Sequence, residues 1–195
     1  MLHVICTVYQ RCETLKVLVG SFLLQTNPEW KLHVVHDGPA PDNIKAFMAQ
    51  FQTNPQVEFT ETDKVRGLWG HPNRKIMLSK LQYSCKDFVL ITNDDNYYVP
   101  KFVEIMLRSA NSMMTGMTYC DTLHSYMNYN VLKTRIKVNF VDMGSFIVRV
   151  DIAKRVGFKH EHLQADGQYA VECAQQCSKL KLQLKYIPLA LFIHN

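Results

Sequence analysis

The stretch Phe88 to Pro100, FVLITNDDNYYVP, constrains this chain most. Its first residues, Phe88-Val89-Leu90-Ile91-Thr92, read as a buried strand. The strand runs straight into Asn93-Asp94-Asp95-Asn96, and Pro100 stands where a helix can start. An apolar strand that ends in acids, with a helix behind it, is how open α/β sheets present ligand sites at the carboxyl ends of their strands. Two neighbouring carboxylates repel by roughly 4 kcal/mol at ~4 Å and an effective dielectric of about 20. A divalent cation, a hard ion that prefers oxygen ligands, removes that conflict. An Asx-rich turn is the competing reading of the same tetrapeptide.

The rest of the chain repeats the strand-then-helix pattern. Leu2 to Val8 and Trp30 to His36 read as strands, and Val57 to Thr60 as a brief third one. Apolar residues at 15, 18, 19, 22 and 23 fall at helical spacing, as do Ile44, Phe47, Met48 and Phe51 within Pro41 to Phe51. Further helices are expected from Pro72 to about Ser84 and from Pro100 onward. Such alternation implies right-handed βαβ crossovers, hence an α/β fold with a mainly parallel central sheet flanked by helices. The second half is less regular. Thr115 to Tyr119, Ser145 to Val150, Gln183 to Ile187 and Leu189 to Asn195 read as strands, Asp151 to Val156 and Ala165 to Leu180 as helices. Leu123 to Lys137 is ambiguous. With 195 residues, 47% hydrophobic, and no linker or repeat, a single domain over 1–195 is expected.

Composition removes several classes. The net charge of +5 is scattered, with no run of basic residues, which argues against nucleic acid. No apolar run approaches ~20 residues, so no transmembrane segment is expected. The start, MLHVICTVYQ, lacks the features of a signal peptide. The six cysteines form no CxxC pair and read as free thiols of a reducing, cytoplasmic protein. No GxGxxG, GxxxxGK[ST] or GxSxG is present, so dinucleotide, P-loop and α/β-hydrolase readings lose support. His160-Glu161-His162 reads as a solvated loop, because two residues apart do not share a helix face.

Three strand ends carry polar groups: Thr7 to Arg11, His36-Asp37-Gly38 and Asn93 to Asn96. In a parallel sheet all three lie on one edge. There Tyr9 could stack on a base, Asp37 accept a base N–H, and the acids Asp94 and Asp95 meet a metal-bound diphosphate. Lys64, Arg66 and Arg74 follow the third strand and supply cations for phosphate, and Trp69 could pack over a sugar.

Here the residues reach a resemblance. Thr7, Tyr9, Arg11, Ser21, Gln25, Thr26, Asp37 and Gly38, in that order, are similar to the opening of family-2-type glycosyltransferases of the GT-A fold. His36 replaces the first Asp of that family's Asp-Asp-Gly. Asn93 to Asn96 resembles its DxD metal motif, with Asp95 on the usual direct ligand, Asn93 on the first Asp and Asp94 between them. Met143 to Arg149 resembles an acceptor-side strand, which brings in Gly144 and Ser145. Ala165-Asp166-Gly167 resembles the segment carrying the catalytic base, with Ala165 in place of Glu, and Asp142 is the reserve base. His194 resembles the late His that completes the metal site in some members.

The resemblance implies a GT-A-like (nucleotide-diphospho-sugar transferase) sandwich, with a nucleotide half at about 1–100 and an acceptor and catalytic half at about 101–195. It implies a metal-dependent glycosyltransferase, using Mn²⁺ or Mg²⁺, that moves a sugar from a UDP-sugar to a carbohydrate or other hydroxyl acceptor with inversion. Further domains of a longer polypeptide are compatible with it. Two alternatives remain. A sugar-nucleotide-forming nucleotidyltransferase would need a Gly-rich, Arg-bearing loop after the first strand, where this chain has Val8-Tyr9-Gln10-Arg11-Cys12. A non-catalytic carbohydrate-binding module could keep the same fold.

Overall fold

A computed structural model describes residues 1–195. In chain order the elements are β1 (Leu2–Val8), α1 (Cys12–Leu23), β2 (Trp30–His36), α2 (Asp42–Ala49), β3 (Val57–Glu61), α3 (His71–Lys80), β4 (Phe88–Asn93), β5 (Tyr97–Tyr98), α4 (Phe102–Ser109), β6 (Thr115–His124), β7 (Asn130–Leu132), β8 (Phe146–Arg149), α5 (Val150–Val156), α6 (Ala165–Lys179) and β9 (Gln183–His194). They build one nine-stranded sheet in the order β3-β2-β1-β4-β8-β6-β9-β5, with β7 beside β6. The first four strands are parallel. Antiparallel pairs follow at β4–β8, β8–β6 and β9–β5, and β6 runs parallel to β9. No helix is long and apolar enough to cross a membrane.

Each face of the sheet has its own apolar layer. One layer joins Leu15, Leu18, Val19 and Phe22 of α1 to Ile44, Met48, Phe102, Val103 and Met106. The other joins Leu78, Ile152, Ala153, Val156, Tyr169, Cys173 and Cys177. The helical spacing of α1 thus buries one stripe, and Cys173 and Cys177 are core groups whose thiols burial raises. The motif Ser21, Gln25, Thr26 is a structural stitch: Gln25 donates to the Val99 carbonyl (2.9 Å) and accepts from the Val103 N–H (2.9 Å), and Thr26 donates to Glu104 (2.8 Å). That stitch places the start of α4 two residues beyond Pro100. The helix expected to reach Ser84 stops at Lys80, because Leu81 turns extended (ψ 122) and buries its side chain.

The ambiguous stretch after Leu123 resolves into the end of β6, a single turn at Ser125–Met127 and the short β7. The two strands expected at the carboxyl end are one, β9, which bulges against β6 where Cys120 pairs Ile187 but Asp121 pairs Ala190. Pro188 sits in that bulge, where a missing N–H breaks no ladder bond. At the amino ends of the strands, His3 and His33 stack between Asp87 and Glu58, in contact at 3.2 Å through Nδ1 and Nε2.

Candidate active site

The carboxyl ends of β2, β1 and β4 lie side by side, with Val8 opposite His36 and Thr7 opposite Asn93. They floor a cleft of about 1000 Å³. Most of the residues expected from the sequence line it: Thr7, Tyr9, Arg11, Asp37, Trp69, Arg74, Asn93, Asp94 and Asp95 from the first half, and Asp142, Asp166 and His194 from the second. Three do not. The Arg66 guanidinium pairs with Asp63 (3.4 Å), and Gly144 and Ser145 lie buried behind the cleft. These two shape Asp142: the Gly144 N–H donates to its Oδ1 (2.8 Å) and the Ser145 hydroxyl to its carbonyl (2.6 Å).

The acidic pair is bridged by a side chain. The Arg11 guanidinium bonds Asp94 and also Asp95 (2.7 Å), so the turn brings both carboxylates to one side and a cation already offsets their repulsion. Burial, opposed by Arg11, pushes Asp94 up to about 6. Its second oxygen accepts from Thr14 Oγ1 (3.4 Å). Asp95 differs, because its buried Oδ1 has no partner.

Asp37 is committed on three sides. Oδ1 accepts from the Arg66 N–H (2.9 Å) and Asn73 Nδ2 (2.8 Å), and Oδ2 from the Gly67 N–H (2.8 Å). An ionised carboxylate has about four acceptor sites, so Oδ2 keeps one. The loop held this way is left-handed for four residues: Gly67, Leu68, Trp69 and Gly70 have φ of 66°, 52°, 53° and 81°. It carries Trp69, 62% exposed, to the cleft mouth. His36 is a buried crosslink between two strand ends. The Gln10 N–H donates to its Nε2 (3.3 Å), so the proton sits on Nδ1 and is donated to the Gly38 carbonyl (2.8 Å).

Arg74 is a buried cation with no carboxylate within ion-pair distance. Its Nη1 donates to His71 Nδ1 (2.6 Å), its Nη2 bonds Asn93, and its Nε has no partner. Burial and Arg74 together drop His71 to about 4. Arg74 also acts at a distance on Asp166, where burial first and then Asp142 raise the carboxyl and Arg74 opposes them. Gln164 makes no capping bond to α6, and Asp166 sits in its first turn. Asp166 therefore stands in the cleft as an acid of elevated pKa.

A second group of ligand atoms comes from the far strands. His124, Asp142 and His194 offer atoms all within 4.8 Å of one another. The β6–β9 register sets His124 opposite His194, with rings 4.1 Å apart. His194 suits a cation: its Nδ1 can donate to Ser125 Oγ (3.1 Å), leaving the Nε2 lone pair free 3.7 Å from Asp142 Oδ2. His124 has the other tautomer, since its Nδ1 accepts the Tyr126 N–H (3.3 Å) and Nε2–H faces Asp142 at 4.0 Å. Sequence reasoning missed His124. It lies in the segment of ambiguous structure, and only the strand register reveals its neighbour.

Residues 3–174 match the sequence model described as glycosyl transferase family 2. A comparison with curated protein sequences returns no match. Among solved structures the chain is similar to S. aureus TarS 1-349, at TM-score 0.77 and 14% identity, covering 100% of this chain and 60% of that one. The same protein in complex with UDP-GlcNAc gives TM-score 0.77 and 14% identity over 98% and 57%. A Pyrobaculum calidifontis mannosyltransferase, PcManGT, in complex with GDP-Man and Mn²⁺ gives TM-score 0.74 and 16% identity over 99% and 56%. The chain thus spans somewhat under two thirds of the length of these structures.

Proposed function

The chain belongs to glycosyl transferase family 2, and from that premise we propose that it transfers a sugar, with inversion and with a divalent cation, from a UDP-sugar to a carbohydrate hydroxyl. The observation that carries this reading is the convergence, in one cleft, of the Asp94–Asp95 turn, His194, Asp142 and the elevated Asp166. Residues 1 to about 100 form the donor half and residues from about 101 to 195 the acceptor half, within one domain.

The residues present fit a divalent cation. Asp95, with its orphaned Oδ1, and the pair Asp142 and His194 would hold it. Asp94 is taken by Arg11 and Thr14, and His124 would first have to give up its bond from Tyr126. Mn²⁺ or Mg²⁺ bound there supplies Lewis-acid stabilisation of charge on the leaving diphosphate. Arg11 and Arg74 add positive charge on the same side, and Arg74 has an unused N–H for it. Tyr9, exposed at the end of β1, offers a face for the base. The remaining acceptor site on Asp37 selects a base that presents a ring N–H, which uracil and guanine do and adenine and cytosine do not. The UDP-GlcNAc complex of TarS supports uracil, and the GDP-Man complex of PcManGT makes guanine the rival. Asp166, elevated by burial, takes the proton of the acceptor hydroxyl as the new bond forms.

A thermal-shift screen of UDP, GDP, ADP and CDP with and without Mn²⁺ tests this, because a ligand of the folded state raises the apparent stability. UDP with Mn²⁺ should give the largest shift. A Mn²⁺-independent response, or ADP or CDP as the best ligand, would overturn it.

A further inference from the structure

We propose that the acceptor is an anionic saccharide chain, carrying carboxylate or phosphate groups, and that the segment from Ser125 to Val141 receives it. This rests on the transferase reading above and adds the class of acceptor.

Between Asp121 and Asp142 the chain has no acidic residue and three cations, Lys133, Arg135 and Lys137. All three are exposed. Their neighbours are tied inward: the Thr134 N–H donates to Asp121 (2.9 Å), and Ile136 packs on the second apolar layer. The alternation fixes a strip with its cations on the solvent side. Tyr126 on the same segment is 88% exposed, and the Lys137 ammonium lies 5.3 Å over the exposed Phe140 ring. Flat apolar rings beside unpaired cations suit a polymer that offers both sugar faces and negative charge.

The segment also belongs to the cleft. Tyr126, Leu132, Asn139 and Val141 line it. Its turn presses on the start of α6, where a Cβ on Gly167 would come within 3.0 Å of Val138 Cα, so the strip ends beside Asp166. The side chains lining the cleft interior carry the opposite net sign, with Asp37, Asp94, Asp95, Asp142 and Asp166 against Arg11 and Arg74. The acidic groups of the acceptor therefore sit on units next to the one that reacts, over the strip.

The test is titration calorimetry with two matched pairs of oligosaccharides: an oligogalacturonate against its methyl ester, and a phosphorylated oligomannoside against the same oligomannoside without phosphate. The wild type should bind the acidic member of at least one pair about tenfold better than its neutral partner, which identifies the carboxylate or phosphate source. The triple variant Lys133→Gln, Arg135→Gln, Lys137→Gln should lose that preference and keep its UDP and Mn²⁺ thermal shift. No preference for either acidic member, or an unchanged preference in the triple variant, overturns the proposal. Binding to anionic phospholipid vesicles with no such preference overturns it in favour of a membrane surface. Hydrolysis of UDP-sugars by the wild type is measured in parallel; its absence would sink the donor reading independently of the acceptor result.

Discussion

At the scale of single residues, Asp166 has two possible duties, and its surroundings separate them. As an acid in the first turn of α6, beyond the Gln164 cap position, its loss would cost about 0.3–1 kcal/mol of stability; as the base its loss would cost ~10²–10⁴ in rate. Asn keeps the size and shape of Asp and removes only its charge and basicity. Asp166→Asn should therefore fold, bind UDP and Mn²⁺ as the wild type does, and lose transfer by at least about a hundredfold. Transfer within a few-fold of wild type would remove Asp166 from the chemistry. His3 and His33 support a prediction of a different kind. Burial holds both below the ordinary 6.5, against the pull of Asp87 on His3 and of Glu58 on His33, with the Met1 ammonium and Lys31 nearby. As pH falls through about 6.5 these histidines take up protons in the unfolded chain before the folded one, so their contribution to stability drops across that window and levels off below their folded values. The melting temperature should fall on this course, and His3→Gln with His33→Gln should make the fall shallower, with His71, which burial and Arg74 drop to about 4, supplying a remainder. Single residues were also the least legible part of the sequence. Asp95 and His194 were visible through a motif. His124, the tautomer of His36 and the pairing of Arg11 with the acids depend on neighbours about 30 to 80 positions away.

At the scale of elements, the sequence was read best where one periodicity ran unbroken. The bounds of β1 and β2 match expectation, and α1 buries the stripe that spacing predicted. Ends set by tertiary contact were read worse, as at α3, whose last residue is decided by where Leu81 buries. The loop before α3 is the element that couples fold to site. Gly70, at φ 81°, lies so close to β1 that an added Cβ would sit 2.5 Å from Thr7 Oγ1. Gly70→Ala should thus lower stability by about 1–3 kcal/mol, seen in a urea melt, and should weaken UDP binding because Thr7 lines the cleft. Wild-type stability together with wild-type UDP affinity would show that the loop gives way freely.

At the scale of the whole molecule, one sheet separates two apolar layers. The layers could melt apart or together. Because every strand of the sheet is hydrogen-bonded to a neighbour, a single transition is expected. Ile44→Val in one layer and Ile152→Val in the other should each cost about 0.5–1.5 kcal/mol. Lying on opposite faces, their effects should add within about 0.5 kcal/mol. Two transitions in calorimetry, or strong non-additivity, would contradict this. The parallel half of the sheet was legible because each strand is followed by its own helix. In the antiparallel half β6, β8 and β9 were legible as strands, but β5 and β7 are too short to show alternation, and the order of all five is fixed by pairing.

The left-handed turn at Gly67 to Gly70 has a consequence for anyone who would engineer this protein. Leu68 and Trp69 hold a conformation that costs an ordinary residue roughly 1–2 kcal/mol and glycine almost nothing. Trp69 is largely in solvent and Leu68 about half so, which limits the packing lost with them. Leu68→Gly and Trp69→Gly, of a type that normally weakens a protein, should here leave the melting temperature unchanged or raise it, even after about 0.4–1 kcal/mol for the freer unfolded chain. If Trp69 steers the sugar, its replacement should slow transfer while the protein gains resistance to heat. A directed-evolution campaign that selects on thermal tolerance alone would then drift toward glycine at these two positions and deliver sturdier, duller enzymes. A clear fall in melting temperature for both variants would show that the turn is relaxed.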